Sequence, residues 1–138
     1  MARIVTNRKA ECEAWLSQKT NCPPLDESAQ YVSLVRGDKI EAVVGYDDFN
    51  GASVRAHIAI DGQVNREFLW FIFYYPFEQL RVKKIIAPIH GLNEKCVSFC
   101  KKLGFVEEAK ITDVFPNGDL LFLTITKDKS KMLTIRRP

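Results

Sequence analysis

The segment Ile85–Phe105 constrains the fold of this chain more than any other part of the sequence. A short apolar run, Ile85–Ile89, predicts a buried strand, and a His-Gly break then precedes a helical pattern that begins at Asn93. Gly104 stands where a residue in the left-handed conformation ends a helix. The segment therefore predicts a strand, a helix and the beginning of a further strand.

The helix in this segment has one apolar face. Its apolar residues follow the spacing i, i+3, i+4 and i+7 and are Cys96, Phe99, Cys100 and Leu103. Two of them are thiols, which suit a buried helix face. The four cysteines of the chain form no CxxC pair and no zinc-binding spacing, so we expect no metal site.

A second helix and two strands complete a crossover unit around this segment. The strand Ser53–Ile60, a helix from about Asn65 to Leu80 and the strand Lys84–Ile89 predict a right-handed βαβ unit with two parallel strands. The helix is apolar nearly all round, so it must be covered on more than one side. Pro76 predicts a kink or an early end in it.

The other elements follow from shorter patterns. We expect a first helix, capped by Thr6 or Asn7 and running to about Lys19, with Ala10, Ala14 and Trp15 facing inward. Four further runs predict strands, and they are Tyr31–Arg36, Lys39–Tyr46, Phe105–Phe115 and Leu120–Thr126. The sequence thus predicts one α/β domain over residues 1–138 with a mixed sheet.

The charge of the chain is concentrated at its carboxyl end. The net charge is +3, and the last twelve residues carry five basic side chains and one acidic one, which leaves −1 for the rest. Residues 127–138 are therefore a basic tail on a nearly neutral body, which does not predict a nucleic-acid-binding surface. The amino terminus has no apolar signal core, and the densest apolar run is half of the roughly 20 residues that span a bilayer. We expect a cytoplasmic protein with no membrane partner.

The late segment also carries a family resemblance. Asn93, followed at +10 to +12 by Leu103-Gly104-Phe105, resembles the corresponding segment of GNAT-type acyl-CoA N-acyltransferases, N-x-x-[AS]…K-x-GF. The stretch Tyr75–Leu80, YPFEQL, is similar to small GNAT-like proteins encoded by phages, which would place the chain in a host cytoplasm. The resemblance implies a mixed, mostly antiparallel sheet with helices on both faces. It also implies direct transfer of an acetyl or other acyl group from acetyl-CoA to an amine acceptor.

Ligands of open α/β sheets bind beyond the carboxyl ends of parallel strands, which here places residues 61–67 beside residues 90–93. The resemblance implies the same place for CoA. Its candidate binding residues are Ile58, Ala59 and Ile60 for the pantetheine arm, Gln63, Asn65 and Arg66 for the pyrophosphate, and Asn93 and Cys100 on the following helix. Cys100 stands where many relatives have a tyrosine that protonates the leaving thiolate.

Two departures from the family leave an alternative open. Arg66 and Phe68 replace the small residues that usually let a backbone approach phosphate, and Glu67 would repel a phosphate. Arg66 could instead bind the phosphate through its guanidinium group. Asn65 and Asn93 could also act simply as helix caps, with no nucleotide bound. The alternative function is a GNAT-shaped binding or structural protein that has lost acyl transfer, such as a phage accessory protein.

An amine acceptor must lose a proton during acyl transfer, so a base is needed. The candidates are His57 on the third predicted strand, His90 at the end of the following strand, and Asp61 near the cleft. A structural role is the alternative for each histidine. The apolar stretches at residues 68–77 and 132–135 further predict a homodimer or larger homo-oligomer.

Overall fold

The computed structural model describes residues 1–133 and contains seven strands and three α-helices in that range. In chain order these elements are β1 (Ala2–Val5), α1 (Lys9–Thr20), β2 (Gln30–Arg36), β3 (Lys39–Asp47), β4 (Ser53–Ile60), α2 (Arg66–Tyr74), β5 (Lys84–His90), α3 (Glu94–Leu103), β6 (Val106–Phe115) and β7 (Gly118–Thr126). A π-helical turn, Tyr75–Gln79, continues α2, and a short 3-10 turn, Lys127–Lys129, follows β7.

All seven strands belong to one sheet, in the order β1-β2-β3-β4-β5-β7-β6. Every neighbouring pair is antiparallel except β4 and β5, which run parallel and are joined through α2. The predicted α/β fold with a central parallel βαβ unit is confirmed. β1 is an edge strand that the sequence patterns did not reveal.

The parallel pair is short. β4 and β5 are in register at three positions, from Ser53 opposite Lys84 to Arg55 opposite Ile86. Beyond Arg55, β4 stays paired with β3 as far as Ile60, while β5 stays paired with β7 as far as His90. The two strands therefore diverge towards their carboxyl ends and open a cleft in the middle of the sheet.

Two apolar clusters cover the sheet. The larger one joins α2 and α3 to β2–β5 and β7, and its most buried members include Leu34, Phe68 and Leu123. The smaller one packs Cys12 and Leu16 of α1 against the opposite faces of β2 and β3. Alternate residues of those strands enter different clusters, as a two-sided sheet requires. The predicted placement of helices on both faces is confirmed.

Pro76 ends the regular part of the second helix. The early end predicted at Pro76 is confirmed: α2 ends at Tyr74, and the chain continues as a π-helical turn, in which the Leu80 amide donates to the Tyr75 carbonyl at 3.0 Å. The carbonyl of Ile72 loses its usual helical donor, because that donor would be the missing N–H of Pro76. The hydroxyl of Tyr46 donates to this carbonyl at 2.6 Å.

The apolar surface of α2 is largely covered within one copy of the chain. Phe68, Trp70, Ile72 and Phe73 are buried, and the intervening residues are half-buried. The exposed large apolar side chains include Val106, Ile111 and Val114, all on the edge strand β6. Of the predicted carboxyl-terminal contact segment, residues 132 and 133 pack against the larger cluster and residues 134 and 135 lie outside the described range. The homo-oligomer stays a prediction, and β6 is a more exposed apolar surface than α2.

The prediction for the first helix was wrong in two details. α1 begins at Lys9 after Arg8, which makes no side-chain capping hydrogen bond, so neither Thr6 nor Asn7 is the cap. Its buried residues are Cys12 and Leu16, whereas Ala10 and Ala14 are exposed. Trp15 is half-buried at the edge of the smaller cluster. The larger residues, Cys12 and Leu16, fill the space over the sheet.

The end of α3 follows the prediction. Gly104 is in the left-handed region at φ 116°, its amide donates to the Lys101 carbonyl, and the Phe105 amide donates to the Cys100 carbonyl at 3.1 Å. These two hydrogen bonds define a Schellman ending. In residues 1–133, no helix is long and apolar enough to cross a membrane.

Candidate functional site

The divergence of β4 and β5 creates a cleft with a volume of about 770 Å³. One side consists of β4, α1 and the loop that follows α1, and the other consists of β5 and the first turns of α3. Seven of the predicted site residues line it, and they are His57, Ile58, Ala59, Ile60, Asp61, His90 and Asn93. The predicted location at the carboxyl ends of the parallel strands agrees with this geometry.

The edge of β4 that faces the cleft has no strand beside it. From residue 56 onward, β4 is hydrogen-bonded to β3 on one side, and β5 has diverged on the other. Some backbone N–H and C=O groups of Ile58, Ala59 and Ile60 therefore face the cleft, because a strand directs these groups alternately to its two edges. An extended ligand with amide groups could bind to this edge as a further strand would.

His57 belongs to a half-buried polar cluster on the α1 side of the sheet. Its Nε2 lies 2.9 Å from Oδ1 of Asp47, whose other oxygen accepts a hydrogen bond from Arg55 at 3.1 Å. The Asp47 side chain is 5% exposed, and its position is fixed by both partners. If Nε2 carries the proton that it donates to Asp47, Nδ1 is the nitrogen that can accept another.

The His90 ring is held in place by hydrogen bonds and a stacking contact within the chain. Its Nδ1 accepts a hydrogen bond from the Leu92 amide at 3.1 Å, and its Nε2 lies 3.2 Å from the side-chain oxygen of Asn117. The ring stacks on Phe115 with 4.3 Å between ring centroids, and a Cβ at Gly118 would lie 2.7 Å from it. Both ring nitrogens are therefore occupied by contacts within the chain.

Asp61 pairs with Lys19 of α1 at the mouth of the cleft. The two charged groups are 2.6 Å apart and both are exposed. The hydrogen bond from Lys19 lowers the pKa of Asp61, and the charge of Lys19 adds to the effect. A carboxylate with a lowered pKa is a weaker base, so the structure favours His57 over Asp61 for proton transfer.

A β-bulge directs an acidic side chain to the loop that follows β4. The pairing of β2 with β3 shifts between Leu34 and Val35, and Glu41 is the residue left over. Its buried carboxylate accepts a hydrogen bond from the Gln63 amide at 3.3 Å and pairs with Arg36. A Cβ at Gly62 would overlap this carboxylate, so the loop requires a glycine there. The Glu41 carboxylate thus already accepts a hydrogen bond from the Gln63 amide, in the loop that was expected to bind the pyrophosphate of CoA.

The start of α2 retains part of the predicted anion site. The side chain of Asn65 caps the helix by accepting from the Phe68 amide at 2.8 Å, so its predicted capping role is confirmed. Arg66 and Glu67 occupy the first two positions of the helix and are exposed. The first amides of a helix have no acceptor within it, so these two remain available to a ligand.

On the opposite side of the cleft, α3 presents Asn93 and a pair of thiols. The side chain of Asn93 accepts from the Cys96 amide at 3.2 Å, which confirms its role as a helix cap. Cys96 lines the cleft, while Cys100 is buried behind it. The Cys100 thiol donates to the Cys96 sulfur, which lowers the pKa of Cys96 and, together with burial, raises that of Cys100. Cys100 is thus a poor acid for a leaving thiolate.

Besides Glu41, sequence reasoning missed three residues of the cleft and its surroundings. Asp47 lies outside the cleft lining but orients His57, while Glu13 and Tyr31 line the cleft beside α1. Asp47 begins an Asp-Asp-Phe-Asn-Gly run, which is typical of a turn, and only its place opposite Arg55 shows its role. Among the described residues, no group of three or more histidine, cysteine or acidic side chains could hold a metal ion.

Comparison with known proteins gives a clear result for structure and none for sequence. No family model and no curated protein matches the sequence. A point mutant of the spermidine N-acetyltransferase SpeG from Vibrio cholerae superposes with a TM-score of 0.74 at 16% identity, over 93% of this chain and 95% of that one. A chimera of SpeG from Vibrio cholerae and hSSAT gives 0.73 at 16% identity, over 97% and 99%.

The same enzyme in a dodecameric structure gives a TM-score of 0.73 at 18% identity, over 93% of this chain and 95% of that one. At these identities the likeness shows the fold, so the chain has the GNAT fold that the late segment resembles.

Proposed function

We propose that this chain transfers an acetyl or other acyl group from CoA to an amine acceptor, by direct transfer between two bound substrates. The observation that carries the proposal is the cleft between β4 and β5, which places an unpaired strand edge beside a histidine oriented by a buried carboxylate. The GNAT fold and the acetyltransferase neighbours support it.

In this proposal the pantetheine end of acetyl-CoA occupies the cleft. The free edge of β4 at Ile58, Ala59 and Ile60 offers backbone groups to its amides, and Asn93 and Cys96 lie across from it on α3. CoA supplies an activated acyl thioester, and the chain's part is to hold the acceptor nitrogen against its carbonyl carbon. Arg66 and the first amides of α2 are the candidate contacts for the phosphate end of CoA, because the Gln63 amide already donates to Glu41.

His57 is the proposed base. Its hydrogen bond to Asp47 fixes the ring, and Arg55 fixes Asp47 in turn. This arrangement leaves Nδ1 to accept a proton from the acceptor nitrogen, directly or through a water molecule. The roles of His90 and Asp61 in this proposal are structural, since their polar atoms are held by Asn117, Leu92 and Lys19.

Titration of the protein with acetyl-CoA, together with turnover of the His57→Ala variant, tests the proposal. We expect binding by wild type and variant alike, because the backbone of β4 carries the pantetheine. Turnover of the variant should fall by roughly 10²–10⁴-fold, the usual contribution of a general base. His90→Ala is the control for loss of a cleft histidine, and melting temperatures of both variants report folding. Full turnover by folded His57→Ala would remove His57 from the mechanism.

A second candidate function is a GNAT-fold protein that binds a partner or ligand without acyl transfer. The Glu41 carboxylate at Gln63 and the burial of Cys100 in place of an acidic tyrosine favour this candidate. It predicts no detectable acetyl-CoA binding. The same titration therefore separates the two functions.

The neighbours suggest which acceptor to assay first. They are spermidine acetyltransferases, so spermidine is the first amine to test with this chain. One of them is a dodecamer, which makes homo-oligomer formation worth measuring here. A cytoplasmic location and a phage origin stay predictions from the sequence.

A further inference from the structure

The side chain of Tyr31 has a feature that packing alone does not explain. It is 4% exposed and lines the cleft, and its hydroxyl makes no hydrogen bond of normal length and geometry to a described residue, the Glu13 carboxylate being near enough only to help raise its pKa. Buried polar groups are nearly always paired, because removing them from water without a partner is unfavourable. An unpaired hydroxyl beside a cleft points to a ligand that supplies the missing partner.

The position of Gly45 directs this hydroxyl towards the cleft. Tyr31, Gly45 and His57 lie opposite one another on β2, β3 and β4, so they form one row across the same face of the sheet. A Cβ at Gly45 would lie 2.9 Å from Cε1 of the Tyr31 ring, which shows that the ring lies across the glycine. The ring therefore extends from β2 in the direction of β4 and His57.

Glu13 supplies an unneutralised charge on the same side of the cleft. It is half-buried on α1, and in the described part of the chain no lysine or arginine pairs with it. The other nearby carboxylates are engaged, Asp47 by Arg55 and Asp61 by Lys19. Burial first, and then the charges of Glu13 and Asp47, raise the pKa of Tyr31 to about 12, so the hydroxyl stays protonated at neutral pH.

We propose that Tyr31 and Glu13 determine the acceptor specificity of the cleft by receiving a protonated aliphatic amine that carries no carboxylate on the carbon beside its nitrogen. The inference rests on the proposed acyltransferase function and names its acceptor class. The ammonium N–H groups donate to the Glu13 carboxylate and the Tyr31 oxygen, while the Tyr31 hydroxyl donates to Glu13. Leu16, Pro24 and Leu25 offer apolar contact to the alkyl chain.

A carboxylate beside the nitrogen would place a second negative charge near Glu13. Among the described residues that line this side of the cleft, no free cation could neutralise it, because Lys19 is bound to Asp61 and Lys95 lies on α3 across the cleft. Like charges in a partly desolvated site repel strongly. The site therefore selects an alkylammonium ion against the corresponding amino acid.

Butylamine and norvaline make a matched pair of probes, because norvaline is butylamine with a carboxylate on the carbon beside the nitrogen. Binding of each is measured by chemical-shift titration of the full chain, with and without CoA, and each is also assayed as an acceptor. We expect butylamine to bind at least about tenfold more tightly than norvaline, the size of one charge-assisted hydrogen bond. Glu13→Gln should reduce this preference roughly five- to tenfold, whereas Tyr31→Phe should weaken the binding of both probes by a similar factor, because both carry the ammonium group.

Glu11→Gln is the matched control, since Glu11 lies on the same helix, is exposed and pairs with Arg8 at 3.5 Å. It should leave the preference unchanged. Equal binding of the two probes, or an unchanged preference in Glu13→Gln, would overturn the acceptor inference even if acetyl transfer is observed. Selective butylamine binding without any acetyl-CoA binding would instead support the site and overturn the proposed transferase function.

Discussion

The two buried tyrosines on neighbouring strands predict opposite effects of the same substitution. Tyr31 and Tyr46 are both nearly inaccessible to water, but within residues 1–133 only Tyr46 of the two has a partner at hydrogen-bonding distance for its hydroxyl, the Ile72 carbonyl at 2.6 Å. Replacing either by phenylalanine removes one oxygen and leaves the ring in place. The change in the free energy of unfolding therefore reports whether each hydroxyl is hydrogen-bonded in the folded protein.

The expected magnitudes follow from the two environments. A buried hydroxyl without a partner costs about 1–3 kcal/mol, so Tyr31→Phe should raise the free energy of unfolding by about 1 kcal/mol after allowing for the small void. Tyr46→Phe loses a hydrogen bond and also leaves the Ile72 carbonyl unpaired, because Pro76 has no N–H to offer. We expect it to lower stability by about 2 kcal/mol.

Thermal unfolding followed by circular dichroism is the measurement. For a chain of this length, 1 kcal/mol corresponds to a shift of about 3–4 °C, so Tyr31→Phe should melt about 3 °C higher and Tyr46→Phe about 6 °C lower than wild type. Urea unfolding checks that the slope of free energy against denaturant is unchanged. A destabilised Tyr31→Phe protein would refute the reasoning, since it would show that the Tyr31 hydroxyl already has a partner.

Four other measurements test the remaining features. Arg66→Ala should weaken CoA binding by about 1–3 kcal/mol with little change in melting temperature, because Arg66 is exposed and is the cation at the start of α2; equal affinity would remove it from the site. Since the folded pKa of Tyr31 is raised to about 12, wild type should lose stability relative to Tyr31→Phe as pH rises above 10, and a constant difference would contradict this. An alkylating reagent should modify Cys22 and Cys96 before the buried thiols, and CoA should slow the reaction of Cys96; an unchanged rate at Cys96 would place CoA elsewhere. Sedimentation should show self-association that a charge placed at Ile111 on β6 weakens, whereas a monomer at all concentrations would end the oligomer prediction.

Local patterns predicted the parts of the fold that depend on local chemistry. The strand, the Asn93 cap, α3 and its glycine ending all follow from residues within one segment, and the structure has each of them. The βαβ unit followed from apolar runs of the right length. β1 was missed because a four-residue edge strand is stabilised by its pairing with β2 rather than by its own pattern.

The position of the cleft could be predicted from the sequence, but the contacts among its polar side chains could not. The carboxyl ends of β4 and β5 were predicted correctly as the position of the cleft, since that follows from topology. The partner of His57 could not be found, because Asp47 meets it only through the β3–β4 register. Glu41 was missed for a similar reason: a β-bulge, which has no clear sequence signal here, directs it to Gln63.

The three paired positions between β4 and β5 also bear on how far the two halves of the sheet can bend relative to each other. Within the described chain they are the backbone ladder that joins strands β1–β4 to strands β5–β7, so the two halves of the sheet meet along a short hinge line. A ligand lying along the open edge of β4 would bridge the halves beyond that hinge and restrict their relative bending. Amide hydrogen exchange on both sides of the cleft should then be slower when substrate is bound than when the cleft is empty.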